Sequence, residues 1–99
     1  MIFAALDEAA SKGELILVFD GLCRFHRRKD GVVVIRELIV MPFRRRTGVG
    51  RRLLEQLRRR FPGAALEAKC PASYESNGFW RACGFALAEE GEVNRWRLN

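Results

Sequence analysis

Residues 32–60 read VVVIRELIVMPFRRRTGVGRRLLEQLRRR. The β-branched first part predicts a strand that ends near Met41, because Pro42 has no N–H group to donate to a sheet. An arginine-flanked glycine loop comes next. Apolar side chains then recur at helical spacing, at Val49, Leu53, Leu54 and Leu57. A glycine loop that opens a helix after a strand is suited to holding phosphate, since the first N–H groups of a helix lack intrahelical partners.

The part of the chain before this segment predicts one helix and two further strands. Apolar spacing indicates a short helix over residues 2–11. Strand propensity over residues 14–20 is followed by the turn signal Asp20-Gly21, and a second turn at residues 29–31 precedes the central strand. The three strands would form an antiparallel meander. One long bent strand over residues 14–28 is the alternative.

The part after this segment predicts a parallel strand, a helix and a hairpin. Residues 64–70 alternate in character, and a strand, helix and strand in succession form a right-handed crossover. A helix is expected over about residues 73–83, with Ser73 as its N-cap. Gly78 inside that helix suggests close approach by another group. Residues 85–98 predict a hairpin around Glu90-Gly91. The fold class is therefore α/β (α+β) with a mixed sheet.

Composition indicates one folded domain over residues 1–99, since the chain is 48% hydrophobic and 30% charged. No apolar run approaches the roughly 20 residues that a membrane span needs. No secretory signal pattern is visible, so we expect a cytoplasmic protein that does not contact a membrane. The three cysteines, Cys23, Cys70 and Cys83, lack metal-site spacing. Reduced thiols and no metal site are expected.

The net charge of +6 favours an anionic partner. Arginines cluster at residues 44–46, 51–52 and 58–60. Nucleic acid, an anionic cofactor and an acidic protein all fit such a charge. Nucleic acid is the less favoured of these, because no nucleic-acid-binding motif accompanies the arginines.

Two motifs resemble the GNAT superfamily of N-acetyltransferases. Arg45, Gly48 and Gly50 stand as Arg-x-x-Gly-x-Gly, which is similar to the acyl-CoA pyrophosphate loop of that family. The segment N77-G-F-W80-R-A-C-G84-F85 resembles a later helix of the family, which usually ends in Tyr-x-x-x-Gly-Phe. The resemblance extends over about residues 14–98. It implies a GNAT-like, mostly antiparallel sheet in which two central parallel strands splay into a V, with helices on both faces.

The resemblance also implies that acetyl-CoA is the co-substrate and enters the gap between those two strands. Backbone groups of Ile39, Val40 and Met41 would pair with the pantetheine arm. The loop and helix start would hold the pyrophosphate, through Arg45, Arg46, Thr47, Gly48, Val49, Gly50 and Arg51. Asn77 and Trp80 complete the expected cofactor-binding set.

The implied chemistry is direct attack of a primary amine on the acetyl thioester. Glu37 occupies the position of the base in some family members, and an ion pair with Arg36 or Arg24 is its plainer role. Trp80 stands where the family usually has a tyrosine that protonates the departing thiolate, and indole has no proton acidic enough for this task. Either the thiolate leaves unaided or Tyr74 is the substitute.

A second departure from the family concerns the front of the fold, where one short helix replaces the usual strand and two helices. The pocket for the amine acceptor would then be open, completed by another subunit or absent, and the acceptor itself is not specified by the sequence. We expect a homodimer, because a small sheet with reduced cover leaves apolar surface and strand edges exposed. A non-catalytic acyl-CoA-binding or partner-recognition module is the alternative function.

Overall fold

The computed structural model describes residues 2–99, with side chains described from Leu6 onward. The helices are α1 (Ile2–Ser11), α2 (Val49–Arg60) and α3 (Ser76–Ala82), with a 3-10 turn at Pro42–Arg44. The strands are β1 (Leu15–Val18), β2 (Gly21–Arg27), β3 (Val33–Val40), β4 (Leu66–Pro71), β5 (Ala86–Glu89) and β6 (Val93–Leu98). None of the described helices is long and apolar enough to cross a membrane.

The six strands form one sheet in the order β1-β2-β3-β4-β6-β5. β3 and β4 run parallel, and the other neighbouring strands run antiparallel. The predicted meander, crossover and closing hairpin are confirmed. The alternative of one long bent strand is wrong, because β1 ends at Val18 and the turn before Gly21 reverses the chain.

One core joins α2 and α3 to the sheet. The apolar stripe of α2 is fully buried, as predicted, and packs with Phe25, Val33 and Trp96 from three different strands. α1 packs against β1 and β2. A cavity of about 190 Å³ separates α1 from the sheet side chains of Arg24, His26 and Arg36. These polar side chains lie on the face of the sheet opposite the core, so helices cover both faces.

A bulge in β3 opens the sheet at its centre. Glu37 pairs with Arg24 and Ile35 pairs with Phe25, so Arg36 is an extra residue without a partner in β2. The parallel ladder between β3 and β4 ends at the same level, with Ile35 opposite Ala68. Because a bulge bends its strand and raises the local twist, β3 turns away from β4 beyond this point. The predicted V-shaped splay is confirmed.

The second half of the chain differs from the predictions in two details. α3 begins at Ser76 rather than near Ser73, and Glu75 is the residue that precedes it. Residues 71–74 instead form turns that hydrogen bonds from the Asn77 side chain hold in place. The expected close approach at Gly78 is wrong, because a Cβ atom there would meet nothing within 4 Å.

Glu67 lies on the face of β4 that carries Lys69, yet Glu67 is buried and only 4% exposed. Its carboxylate accepts hydrogen bonds from Arg28 and Arg97 and lies 3.5 Å from the Arg95 guanidinium. Buried carboxylates need such partners, because an unpaired charge in the interior is strongly unfavourable. Arginines from the β2–β3 turn and from β6 therefore hold β4 from both sides.

Candidate functional site

A cleft of about 870 Å³ lies where β3 and β4 diverge. β3 forms one wall and the end of β4 forms the other. The start of α2 closes one end, and α3 contributes Phe79 and Trp80. The cleft is therefore built from the elements on both sides of the parallel crossover.

Most of the residues that were predicted from the sequence to be catalytic or to bind the cofactor line this cleft. They are Glu37, Ile39, Val40, Arg45, Arg46, Gly48, Val49, Gly50, Arg51, Tyr74 and Trp80. The lining does not include Met41, Thr47 or Asn77. The Thr47 hydroxyl instead donates a hydrogen bond to the Arg44 carbonyl oxygen, within the loop itself.

The N-terminus of α2 opens into the cleft. Gly48 adopts a left-handed conformation with φ of 89°, and the Arg52 N–H donates to its carbonyl oxygen at 3.0 Å. Within the described chain no side chain caps this helix, and its first turn holds no acidic residue. Its first N–H groups therefore have no intrahelical or side-chain acceptor, and the helix dipole adds partial positive charge there.

The loop before α2 holds a second residue in a left-handed conformation, Arg46, with φ of 64°. Few residues other than glycine adopt such a conformation, and those that do cluster at functional sites. Successive backbone N–H groups in a turn conformation can form a concave surface that binds anions, and left-handed residues such as Arg46 and Gly48 shape this turn. The loop is thus shaped for an anion.

The arginines around the cleft divide into two groups. Arg44 donates to the buried Asp20 carboxylate at 3.0 Å, and Arg51 donates to the Ala82 carbonyl oxygen at 3.0 Å. Arg45 and Arg46 line the cleft and make no side-chain hydrogen bond or ion pair with the described residues. Their positive charge remains available to a ligand.

The free backbone edge of β3 differs from the expectation. The Met41 N–H donates to the Asp20 carbonyl oxygen at 2.9 Å, so this group faces β2 and is not available to a ligand. Backbone groups alternate in direction along a strand, so those of Ile39 also face β2. The groups of Leu38 and Val40 therefore face the cleft.

Glu37 lines the cleft and pairs with Arg24. Its Oε1 atom accepts hydrogen bonds from Arg24 Nε at 2.9 Å and from Arg24 Nη2 at 2.5 Å. The ion pair that the sequence offered as the plainer role is thus present. Both hydrogen bonds go to the same oxygen, which leaves Oε2 as the atom that can accept a proton.

Asn77 organises the turn that carries Tyr74. The Asn77 amide nitrogen lies within hydrogen-bonding distance of the Pro71, Ala72 and Tyr74 carbonyl oxygens, at 2.9, 3.3 and 2.7 Å. Its Oδ1 atom accepts from Asn94 and Trp96. This side chain is fully engaged inside the protein. The Tyr74 side chain is 60% exposed at the rim of the cleft.

Cys70, Ser76 and Phe79 are among the cleft residues that were not predicted from the sequence. Phe79 packs edge-on against Trp80, with ring centroids 5.2 Å apart. The Cys70 thiol and the Ser76 hydroxyl lie 3.2 Å apart and form a hydrogen bond. The only sequence signal for these residues was position: Cys70 ends the strand that follows the crossover, and Ser76 and Phe79 lie in the next helix.

Comparison with known proteins agrees with this architecture. A family model described as an acetyltransferase (GNAT) domain matches residues 1–87. Comparison with curated protein sequences finds no match. Among solved structures, a protein from Desulfovibrio desulfuricans assigned to the GNAT acetyltransferases superposes with a TM-score of 0.75 at 18% identity, covering 95% of this chain and 76% of its own.

Two further structures were solved with ligands. Arabidopsis thaliana Naa50, in complex with the bisubstrate analogue CoA-Ac-MVNAL, has a TM-score of 0.62 at 17% identity, covering 81% of this chain and 65% of its own. A Bacillus anthracis protein assigned as a streptothricin acetyltransferase, in complex with acetyl coenzyme A, has a TM-score of 0.66 at 21% identity, covering 81% and 55%. These likenesses establish the fold. Together with the family model, which spans most of the sequence, they show that the chain belongs to the GNAT acetyltransferase family.

Proposed function

We propose that this protein transfers the acetyl group of acetyl-CoA to a primary amine. The observation that carries the proposal is the uncapped start of α2, which opens beside Arg45 and Arg46 into the cleft between β3 and β4. A diphosphate is the ligand that such a donor set suits, because helix N-termini and arginines both stabilise phosphate oxygens. Acetyl-CoA is bound in the Bacillus anthracis relative described above.

The chain's own groups divide the binding task along the cleft. N–H groups of residues 46–51 would hold the diphosphate, with Arg45 and Arg46 supplying charge. The cleft-facing backbone of Leu38 and Val40 would pair with the amides of the pantetheine arm, as an added strand does. Trp80, at the inner end, would pack against the same arm.

The reaction joins the amine nitrogen to the acetyl carbonyl carbon and breaks the carbon–sulfur bond. The N–H of Val40 would polarise the thioester carbonyl. Glu37 Oε2 would accept the proton that the amine loses, directly or through one water, and the Tyr74 hydroxyl would return a proton to the thiolate. Holding both reactants in one cleft makes the attack effectively intramolecular.

A matched pair of substitutions at Gly48 tests the binding site. Asparagine and aspartate tolerate a left-handed conformation almost equally, so Gly48→Asn and Gly48→Asp differ mainly in charge. We expect acetyl-CoA to bind the parent and Gly48→Asn, and to bind Gly48→Asp at least about ten-fold more weakly because of repulsion from the diphosphate. Titration calorimetry measures all three. No binding to the parent protein, or equal binding to both variants, would overturn the proposal.

The second candidate function is a non-catalytic module that binds acyl-CoA. Trp80 favours it, because this residue occupies the place of the usual thiolate-protonating tyrosine and is buried. The two functions differ in turnover. Tight binding of acetyl-CoA without loss of the thioester over a broad panel of amines would support the module, whereas steady turnover would exclude it.

We further propose that the protein forms a homodimer. β1 is an edge strand without a charged residue, and it leaves Leu17 69% exposed next to Phe19, which is 86% exposed. An uncharged, apolar strand edge pairs readily with another strand. Light scattering after size exclusion should give twice the chain mass, and Leu17→Lys should halve it. A monomer at every concentration would overturn this assignment.

A further inference from the structure

We infer that the acceptor amine belongs to a molecule that also carries an anionic group, a carboxylate or a phosphate, bound between Arg36 and Lys69. The inference rests on the proposed function, since it names the substrate class for the same cleft. It is drawn from the charges on the sheet face opposite α2.

Arg36 and Lys69 lie side by side at the apex of the cleft. Each directly follows the last paired residue of the parallel ladder, in which Ile35 lies opposite Ala68. Ala68 is buried in the core, so the next side chain of β4, that of Lys69, points to the opposite face. Arg36 is the bulge residue, and its contact with His26 and its place in the lining of the cavity beneath α1 put its side chain on that same face. Both side chains line the cleft and are exposed.

Neither cation has a counterion among the described residues. The one side-chain contact of Arg36 is with His26 Nδ1, at 3.5 Å, and Lys69 forms no ion pair. The other cations nearby already have anionic partners. Arg24 is paired with Glu37, and Arg95 lies against the buried Glu67. Within the described part of the chain, Arg36 and Lys69 are thus the two cations at this end that have no anionic partner.

Glu67, on the same face of β4 as Lys69, is neutralised by Arg28, Arg95 and Arg97. Four further carboxylates line the cleft or the cavity beneath α1. Glu37 is neutralised by Arg24, and Glu8 is neutralised by Lys12 at 2.8 Å. The remaining two, Glu14 before β1 and Glu75 in the β4–α3 connection, line different cavities and stand apart from each other. Arg36 and Lys69 are therefore an adjacent pair of uncompensated charges. Both are positive, and both lie next to Glu37.

Arg36 also connects the cleft to the small cavity beneath α1, because it lines both. That cavity of about 190 Å³ is large enough for a small organic group and is walled by Glu8, Lys12 and Arg24. A planar guanidinium binds carboxylate and phosphate through two parallel hydrogen bonds. An anionic group bound between Arg36 and Lys69 would place the amine of the same molecule close to Glu37.

Matched amines test the inference. The first pair is 4-aminobutyrate and 1,4-diaminobutane, and the second is phosphoethanolamine and ethanolamine, so each pair differs mainly in charge. Loss of the thioester absorbance of acetyl-CoA gives kcat/KM. We expect each anionic member to exceed its partner by about ten-fold or more, and the better of the two anionic members identifies carboxylate or phosphate as the recognised group.

Variants show whether the preference arises at this place. Arg36→Gln and Lys69→Gln should each raise the KM for the better anionic amine about ten-fold and lower the selectivity ratio. The control Arg59→Gln, on the exposed side of α2, should leave both unchanged. Calorimetry with acetyl-CoA on the parent separates the two hypotheses: absent binding overturns the proposed function itself. Binding with equal or better use of the diamine, or with no use of either anionic amine, overturns the substrate class alone.

Discussion

At Gly50, α2 packs closely against the Phe79 ring of α3. A Cβ atom at this position would lie 2.8 Å from Cε1 of Phe79, which is closer than such atoms approach in proteins. Phe79 in turn packs on Trp80, so the glycine sets the position of both aromatic rings beside the cleft. The residue resembled a phosphate-loop glycine in the sequence, and its packing role was not visible there because Phe79 lies 29 positions later in the chain.

The first prediction uses this contact in a double-mutant cycle. Gly50→Ala should lower the free energy of unfolding by about 1–2 kcal/mol in the parent, because the Phe79 ring must shift. In a Phe79→Ala background the same change should be neutral or stabilising. Urea denaturation provides the values. Gly78→Ala is the control and should stabilise both backgrounds by up to about 1 kcal/mol, since its Cβ would meet nothing and alanine favours the helix. An equal cost of Gly50→Ala in both backgrounds would contradict the packing role.

The second prediction concerns pH and the Cys23 thiol. Burial raises the pKa of Cys23 from 9.0 to about 12. Above about pH 9 the unfolded chain loses this proton while the folded chain retains it, so stability falls as pH rises toward 12. The stability advantage of the parent over Cys23→Ala should therefore be full at pH 7.5 and about 2 kcal/mol smaller at pH 10.5. The comparison is made by urea denaturation at both pH values, and an unchanged difference would show that the thiol ionises freely in the fold.

At the scale of elements, the connection between β4 and α3 depends on one side chain. Asn77 ties the turns at residues 71–74 to its amide nitrogen and ties β6 to its amide oxygen, through Asn94 and Trp96. These contacts explain why α3 begins at Ser76 and why the rim of the cleft has a defined shape. They join segments that are far apart in sequence, and no local pattern marks them.

The third prediction is that Asn77→Asp, which keeps the shape, lowers the free energy of unfolding by about 2–4 kcal/mol. The cause is that a carboxylate oxygen would then face carbonyl oxygens that have lost their donor. Chemical denaturation gives the change. Ser73→Ala is the matched control, and it should cost less than about 0.5 kcal/mol because Ser73 does not cap α3. A larger effect at Ser73 than at Asn77 would restore the predicted helix start.

Element identities followed from the sequence because their causes are local. The apolar stripe of α2 and the strand end before Pro42 are determined by neighbouring residues, and the structure has both of them. The turn signalled by Asp20-Gly21 is present one position earlier, at residues 19–20, and Gly21 is the first residue of β2. The bulge at Arg36 is different. It lies where β3 pairs with β2 along one edge and stops pairing with β4 along the other, so its position depends on two partners that periodicity in one segment does not reveal.

At the scale of the whole molecule, Glu67 joins the two halves of the sheet, on either side of the boundary between β3 and β4. Its carboxylate gathers Arg28 from the β2–β3 turn with Arg95 and Arg97 from β6. The convergence requires β6 to lie between β4 and β5, an order that the closing hairpin permits but does not dictate. The alternating pattern of residues 64–70 predicted this strand correctly, but it did not predict that the Glu67 carboxylate is buried.

The fourth prediction is that Glu67→Gln lowers the free energy of unfolding by about 2–4 kcal/mol, because three guanidinium groups lose their shared counterion. Thermal and urea unfolding both measure it. Glu8→Gln serves as the control: Glu8 pairs with Lys12 on the exposed surface of α1, and its loss should have no measurable effect. Equal stability of the Glu67→Gln variant and the parent would show that the arginines are satisfied by water.

The parallel ladder between β3 and β4 has three rungs. β1, β2 and β3 thus form one half of the sheet and β4, β5 and β6 form the other, with few main-chain hydrogen bonds between the halves. A molecule that binds along the unpaired edges of β3 and β4, with hydrogen bonds to both strands, would hold the two halves of the sheet together. With such a molecule bound, amide hydrogens in the two halves should exchange with solvent as one cooperative unit. Without it, the two halves should exchange as two separate units.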